Sequence, residues 1–275
     1  MKIAVHQMCS TIDSDGNASE MTDAILYASS QGATMYFAPE MSLLLDRDRN
    51  RARGQIFSES GSRALNIVSD TAKKYGIWVH IGSLPVLTDQ AAKLANRTIV
   101  FGPDGSVRAR YDKVHLFDVD LSTGESWRES AAYAHGPGPV AVATPLGLMG
   151  LGICYDVRFP DLFSAYAKSA VDVVTVPSAF TVPTGEAHWH VLLRARAIES
   201  EAFVIAAAQC GTHDDGRQTY GHSLVVDPWG DVILDMGTSV GIGFADLDLN
   251  RLAEVRAQIP VHANRQPITL PVFIA

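Results

Sequence analysis

Leu148-Met149-Gly150-Leu151-Gly152-Ile153-Cys154-Tyr155-Asp156-Val157-Arg158-Phe159-Pro160-Asp161-Leu162 is the stretch that decides the fold. An apolar run stops abruptly at Cys154 and a helix-like segment begins, which reads as a buried strand feeding a helix. A thiol at the carboxyl end of such a strand faces the N–H groups of a helix start, and these favour the thiolate. A buried cysteine also serves simply as a small apolar residue. Cys154 alone therefore leaves both roles open.

Outward from this unit, the same alternation continues. Short β-branched runs predict strands at 2–7, 34–38, 77–82, 98–102, 140–144, 149–153, 171–177, 203–209, 221–226 and 242–246. Amphipathic segments predict helices at 17–31, 62–75, 160–169, 188–200 and 249–258. Gly102-Pro103-Asp104-Gly105 and Asp227-Pro228-Trp229-Gly230-Asp231 read as hairpin turns. Hairpins beside helical crossovers imply mixed sheets. So many strands exceed one open sheet, so the fold class is α/β with two stacked sheets and helices outside. No linker divides the chain, which reads as one domain over 1–275. The stretch 116–139 is the longest irregular region, and with 178–186 it reads as a binding loop.

Composition excludes several classes. A formal charge of −8 argues against nucleic-acid binding, which needs clustered Lys and Arg. The one dense basic stretch, Asp46–Arg53, is interleaved with Asp and reads as a solvated loop or helix face. Cys9, Cys154 and Cys210 are too far apart for a disulfide framework or a Cys-x-x-Cys metal site. No 18-residue apolar run exists to span a membrane. The opening Met-Lys-Ile-Ala-Val-His-Gln is too short an apolar run for a signal peptide. A reducing cytoplasm is the expected compartment, and it would keep Cys154 free.

Two further residues stand at strand exits. Glu40 follows Met35-Tyr36-Phe37-Ala38-Pro39, and Lys113 follows the strand-like run 107–110. Each alone reads as a surface charge. Together with Cys154 they supply what amide hydrolysis requires, namely a base, a cation for the oxyanion and a nucleophile. Strand carboxyl ends in α/β folds converge on one crevice, so distant residues can meet there.

The motifs Phe37-Ala38-Pro39-Glu40, Tyr111-Asp112-Lys113-Val114-His115-Leu116-Phe117-Asp118 and Gly152-Ile153-Cys154-Tyr155-Asp156-Val157-Arg158-Phe159-Pro160 occur in this order. In them the sequence resembles the nitrilase superfamily of carbon–nitrogen hydrolases over nearly the whole chain. The resemblance implies a four-layer αββα sandwich and a Glu40–Lys113–Cys154 triad. It also implies a second glutamate at Glu129, an oxyanion donor in the Tyr155 N–H, and no cofactor or metal. The segments Ala187–Glu199, Ala206–Gly211 and Tyr220–Gly230 are similar to the deaminated-glutathione amidase and omega-amidase branches. His190 departs from them, standing where those branches usually carry Glu. Arg158 is a candidate bidentate partner for a substrate carboxylate.

The resemblance thus implies a small amide substrate and a homodimer whose interface takes the tail of about 260–275. N-carbamoyl amino-acid hydrolysis and nitrile hydrolysis use the same triad and remain alternatives, as does a non-enzymatic scaffold. A zinc hydrolase built on His188, His190, His213 and His222 is disfavoured, because residues at i and i+2 of a helix do not share a face.

Overall fold

Alternation within the first strand, Lys2–Gln7, sets the layering. Ile3 and Val5 enter one apolar cluster and Ala4 enters another, and all three are fully buried. A strand buried on both faces must lie between two layers. The computed structural model, which describes residues 1–88, 93–120, 124, 126–269, 271 and 273, supplies both. On one face Ile3 and Val5 join Met149, Leu151, Val173 and Phe203 of a second sheet. On the other, Ala4 with Tyr36, Val79 and Ile99 packs on Met21 and Ile25 of helix Ser14–Ser30 and on Leu65 and Val68 of helix Arg63–Tyr75.

The first sheet runs Gly241–Asp246, Lys2–Gln7, Met35–Phe37, Trp78–His80, Leu94–Phe101, Leu84–Leu87, with Val107–Asp112 also paired to Leu94–Phe101. The second runs Val232–Asp235, Leu224–Val226, Phe203–Ala206, Val173–Thr175, Gly147–Leu151, Ala141–Thr144. Both sheets mix parallel and antiparallel pairs, as the hairpins required. Helices Pro160–Lys168 and Val182–Ser200 cover the second sheet through Leu162, Phe163, Trp189 and Leu193. His80 Nε2 lies 3.1 Å from Thr175 Oγ1 and joins the two sheets across the interior. Burial lowers the His80 pKa to about 3, so this bridge is neutral. The fold is the αββα sandwich expected from the sequence. Among the described residues, no helix is long and apolar enough to cross a membrane.

Every expected strand and helix is present, most of them shortened. The differences have local causes. Helix Val182–Ser200 starts six residues before the expected 188, because Pro183 suits a first turn and Gly185 packs on Tyr220. A Cβ at Gly185 would come within 2.2 Å of that ring, so this glycine marks close packing instead of a loop. The stretch 116–139 is not wholly irregular, since Asp118–Asp120 pairs with Ser126–Arg128. Leu121, Ser122, Thr123 and Glu125 of this stretch lie outside the described residues, as do Leu270, Val272, Ile274 and Ala275 of the apolar tail. Strands Leu84–Leu87 and Val232–Asp235 and the hairpin of Cys210–Thr212 with Gln218–Tyr220 were not foreseen. They are short, and the pairing of neighbours defines them more than their own pattern does.

Candidate active site

Glu40 is delivered by a chain that leaves the first sheet after Phe37. The Pro39 carbonyl accepts from Ser83 N, and Gly82 presses so close that a Cβ there would meet the Pro39 oxygen at 1.8 Å. Only glycine fits. The Glu40 side chain is then held by three donors: Lys113 Nζ and Asn96 Nδ2, each at 2.9 Å, to Oε1, and Ala179 N at 2.9 Å to Oε2. Ala179 belongs to the crossover that follows the second sheet's Val173–Thr175, so the base is gripped from both sheets.

Lys113 directly follows strand Val107–Asp112, and its N–H donates to Asn96 O at 2.9 Å. Its ammonium, 2% exposed as a side chain, lies 2.9 Å from Glu40 and 2.8 Å from Glu129. Glu129 is anchored in turn by Phe117 N at 2.7 Å. Asn96 spans the two carboxylates, donating to Glu40 at 2.9 Å and to Glu129 at 3.1 Å.

Cys154 follows strand Gly147–Leu151 and opens a single 3-10 turn, Cys154–Arg158, before helix Pro160–Lys168. Its φ of 49° lies in the left-handed region, where an L side chain is held at a cost of about 1–3 kcal/mol. The turn is tied down by fully buried Asp156, which accepts from Ile153 N, Tyr111 Oη, His115 N and His115 Nδ1 at 2.6–2.9 Å. Tyr111 and His115 flank Lys113, so one carboxylate couples the nucleophile's turn to the lysine's strand. The first N–H groups of such a turn lack partners within it, and the Tyr155 N–H is among them.

Burial opposes the Glu40 carboxylate, but the Lys113 charge and hydrogen bonds from Lys113, the Cys154 thiol and Asn96 hold its pKa below the usual range. Burial likewise opposes charge on Lys113, and Glu129, Glu40 and Cys154 outweigh it, pushing the ammonium's pKa well up. For Cys154, burial and then the charge of Glu40 push the thiol well above its ordinary range, with Lys113 opposing. Burial and the Glu40 charge thus favour the neutral thiol, opposing the pull of the helix-start N–H groups towards the thiolate.

These groups lie in a cleft of about 1060 Å³ walled by Phe117, Trp127, Tyr133, Tyr155 and Phe180. Although the chain is acidic, the cleft lining holds eight Lys and Arg (Arg47, Arg49, Arg53, Lys93, Lys113, Arg128, Arg158, Arg217) against Glu40, Asp46 and Glu129. The basic stretch 46–53 is thus part of the cleft and not merely a solvated face. Arg158 lines it too, with its guanidinium over Tyr155 and Phe180 at 5.9 and 5.3 Å and 3.2 Å from His188 Nδ1. Arg217 stacks over Trp127 at 4.8 Å. The sequence reading did not single out Asn96, Asp156 or Arg217. Asp156 stood inside a quoted motif, whereas Asn96 and Arg217 carried no local signal.

The four weighed histidines do not form one centre. His188 faces Arg158, and His213 Nδ1 lies 2.9 Å from Ser10 O with Nε2 at 2.8 Å from Thr219 Oγ1. His190 and His222 do meet, at Asp235, away from the residues lining the cleft.

A family model described as carbon–nitrogen hydrolase matches residues 2–257. A deaminated glutathione amidase of Bos taurus is 40% identical over 269 residues, covering 96% of this chain and 82% of that protein. Nit3 of Saccharomyces cerevisiae, described as a member of branch 10 of the nitrilase superfamily, superposes with a TM-score of 0.86 at 28% identity over 97% of this chain and 96% of that one. An amidase from Nesterenkonia sp. AN1, in a mutant form showing the result of Michael addition of acrylamide at the active site cysteine, gives a TM-score of 0.78 at 27% identity over 94% and 98%.

Proposed function

The chain belongs to the carbon–nitrogen hydrolase family, and we propose that it is an amidase for a small carboxylate-bearing amide of the deaminated-glutathione kind. The observation that carries this reading is the buried Glu40–Lys113–Cys154 cluster on the floor of a cleft rich in arginine. Deaminated glutathione is a tripeptide without its amine that keeps a carboxylate at each end, so the excess of cations matches its charge. Arg158 is the guanidinium we assign to one carboxylate, and Arg217 is a second candidate.

In the proposed cycle, ionised Glu40 takes the Cys154 proton as sulfur attacks the amide carbon. Lys113 Nζ donates to Glu40 Oε1 and to both oxygens of Glu129, and its ammonium charge, together with the Tyr155 N–H, is what we assign to the oxyanion. Such a donor is worth about 3–4 kcal/mol in the transition state. Glu40 passes its proton to the leaving amine, and the acyl group remains on sulfur as a thioester. Glu40 then deprotonates a water that attacks the thioester, and returns the proton to the departing thiolate. Glu129 and Asn96 hold Lys113 and Glu40 in register throughout. A reducing compartment such as the cytoplasm, which keeps Cys154 a thiol, suits this cycle, and all three cysteines are free.

The test is a panel following amine release from deaminated glutathione and ammonia release from α-ketoglutaramate, N-carbamoyl amino acids and simple nitriles. We expect deaminated glutathione or α-ketoglutaramate to lead, and Cys154→Ala to abolish turnover in a folded protein. Turnover retained by Cys154→Ala removes the nucleophile assignment. A carbamoyl compound or nitrile leading the panel replaces the substrate reading but keeps the triad, and an inert wild type supports a scaffold. We also infer a homodimer, supported by the exposed apolar residues Ile259, Ile268 and Phe273 near the chain end. A monomeric mass in light scattering at micromolar concentration would rule it out.

A further inference from the structure

Helix Val182–Ser200, the turn at His222 and strand Val232–Asp235 bring His190, His222 and Asp235 together, and their ligand atoms all lie within 4.8 Å of one another. His190 Nε2 is 3.0 Å from Asp235 Oδ2, and His222 Nδ1 is 2.9 Å from Oδ1. We propose that these residues form a binding site for a divalent transition-metal ion of the zinc class, distinct from the catalytic centre.

The donor set is the first argument. Two imidazoles and one carboxylate are ligands that zinc and its neighbours take. Zinc bonds of about 2.0–2.2 Å place tetrahedral ligand atoms roughly 3.4 Å apart; His190 Nε2 and His222 Nδ1 already stand 3.0 and 3.2 Å from one oxygen, Asp235 Oδ2, and within 4.8 Å of each other. Without a metal, His190 and His222 can each direct one N–H to Asp235, and a bound ion would take the place of those two protons. A divalent ion engages all three groups at once.

Rigidity is the second argument. His222 has a φ of 53°, its N–H donates to Gly237 O at 2.6 Å, and its carbonyl accepts from Trp189 Nε1 at 2.7 Å. Its ring stacks on Tyr220 at 4.5 Å with 22° between planes. His190 is carried by helix Val182–Ser200, and Asp235 also accepts from Gly237 N at 2.9 Å. Most of the ordering that a metal site demands is thus met in advance. The side chains are 35%, 23% and 35% exposed, which leaves an entry path and room for water to complete the coordination. Metal binding takes the lone pairs of His190 Nε2 and His222 Nδ1, so each ring's remaining proton sits on its opposite nitrogen. The bound ion ties the helix to the edge strand Val232–Asp235 and supports the structure; none of the three residues lines the cleft.

The test uses full-length chelator-treated protein in a Cys154→Ala background, which removes a competing thiol. Zinc chloride is titrated calorimetrically and against a chromogenic chelator, and cobalt(II) is followed through its visible d–d bands. One equivalent is expected, with a rise in Tm on loading. His190→Gln and Asp235→Asn, both at partly exposed positions, should weaken binding at least tenfold and lose the cobalt bands, with circular dichroism of the metal-free proteins unchanged. Absence of saturable binding in the parent overturns the proposal. So does binding that neither variant alters, which would assign the ion to other ligands such as Cys9 and His213.

Discussion

Two clusters of charge in this molecule are built alike and behave differently. Glu40, Lys113 and Glu129 meet in the interior between the sheets' strand ends, and His190, His222 and Asp235 meet at a sheet edge beside a helix. In the interior, charges lack the screening of water, so each group's protonation is dictated by its neighbours. Glu40 stays ionised and Lys113 stays charged, while Cys154 is held as a thiol beside them. At the edge, solvent reaches every member, and protons exchange there without leaving a bare buried charge. A buried cluster suits one internal proton transfer in a fixed geometry. A half-exposed one suits exchange of protons for an external ion.

The comparison breaks most sharply at Lys113. Lys113→Met would leave Glu40 and Glu129 facing each other without a cation, a loss on the order of 3–5 kcal/mol for a broken buried ion pair. It should also cost turnover about 10²–10³-fold through the oxyanion. Chemical denaturation together with single-turnover kinetics measures both. A variant of near-native stability would show that the interior is far better hydrated than its burial implies. By contrast, His190→Gln at the edge should leave stability of the metal-free protein nearly unchanged.

A smaller effect sharpens the same point. Asn96→Ala removes one donor from each carboxylate and should lower kcat about 10–100-fold, equivalent to about 1–3 kcal/mol for a buried charged group left short of a partner. Unchanged kcat would mean that Lys113 and the Ala179 N–H alone orient Glu40.

Much of this was legible in the residues. The apolar run ending at Cys154, the Pro39 turn before Glu40 and the strand before Lys113 named three strand exits, and the family resemblance joined them. Glu129 and Arg158, both named from the sequence, line the cleft. Asn96 was not foreseen, since it lies mid-strand and its role depends on which two carboxylates the sheet brings to it. The balance at Cys154 was hidden for a related reason: the short turn's N–H groups were visible in sequence, but the opposing field of buried Glu40 was not.

The H-x-H spacing of His188 and His190 was read correctly as two different helix faces, and they indeed point to different partners. That argument said nothing about His222 or Asp235, which a left-handed turn and an edge strand bring to His190. By itself, then, the sequence determined the layers, the strand exits and the chemistry available at them, because periodicity and local turns are short-range properties. Which charges face each other, and hence which groups are ionised and which donors converge, was decided only by the tertiary structure, because electrostatic coupling depends on distance and burial and not on order along the chain.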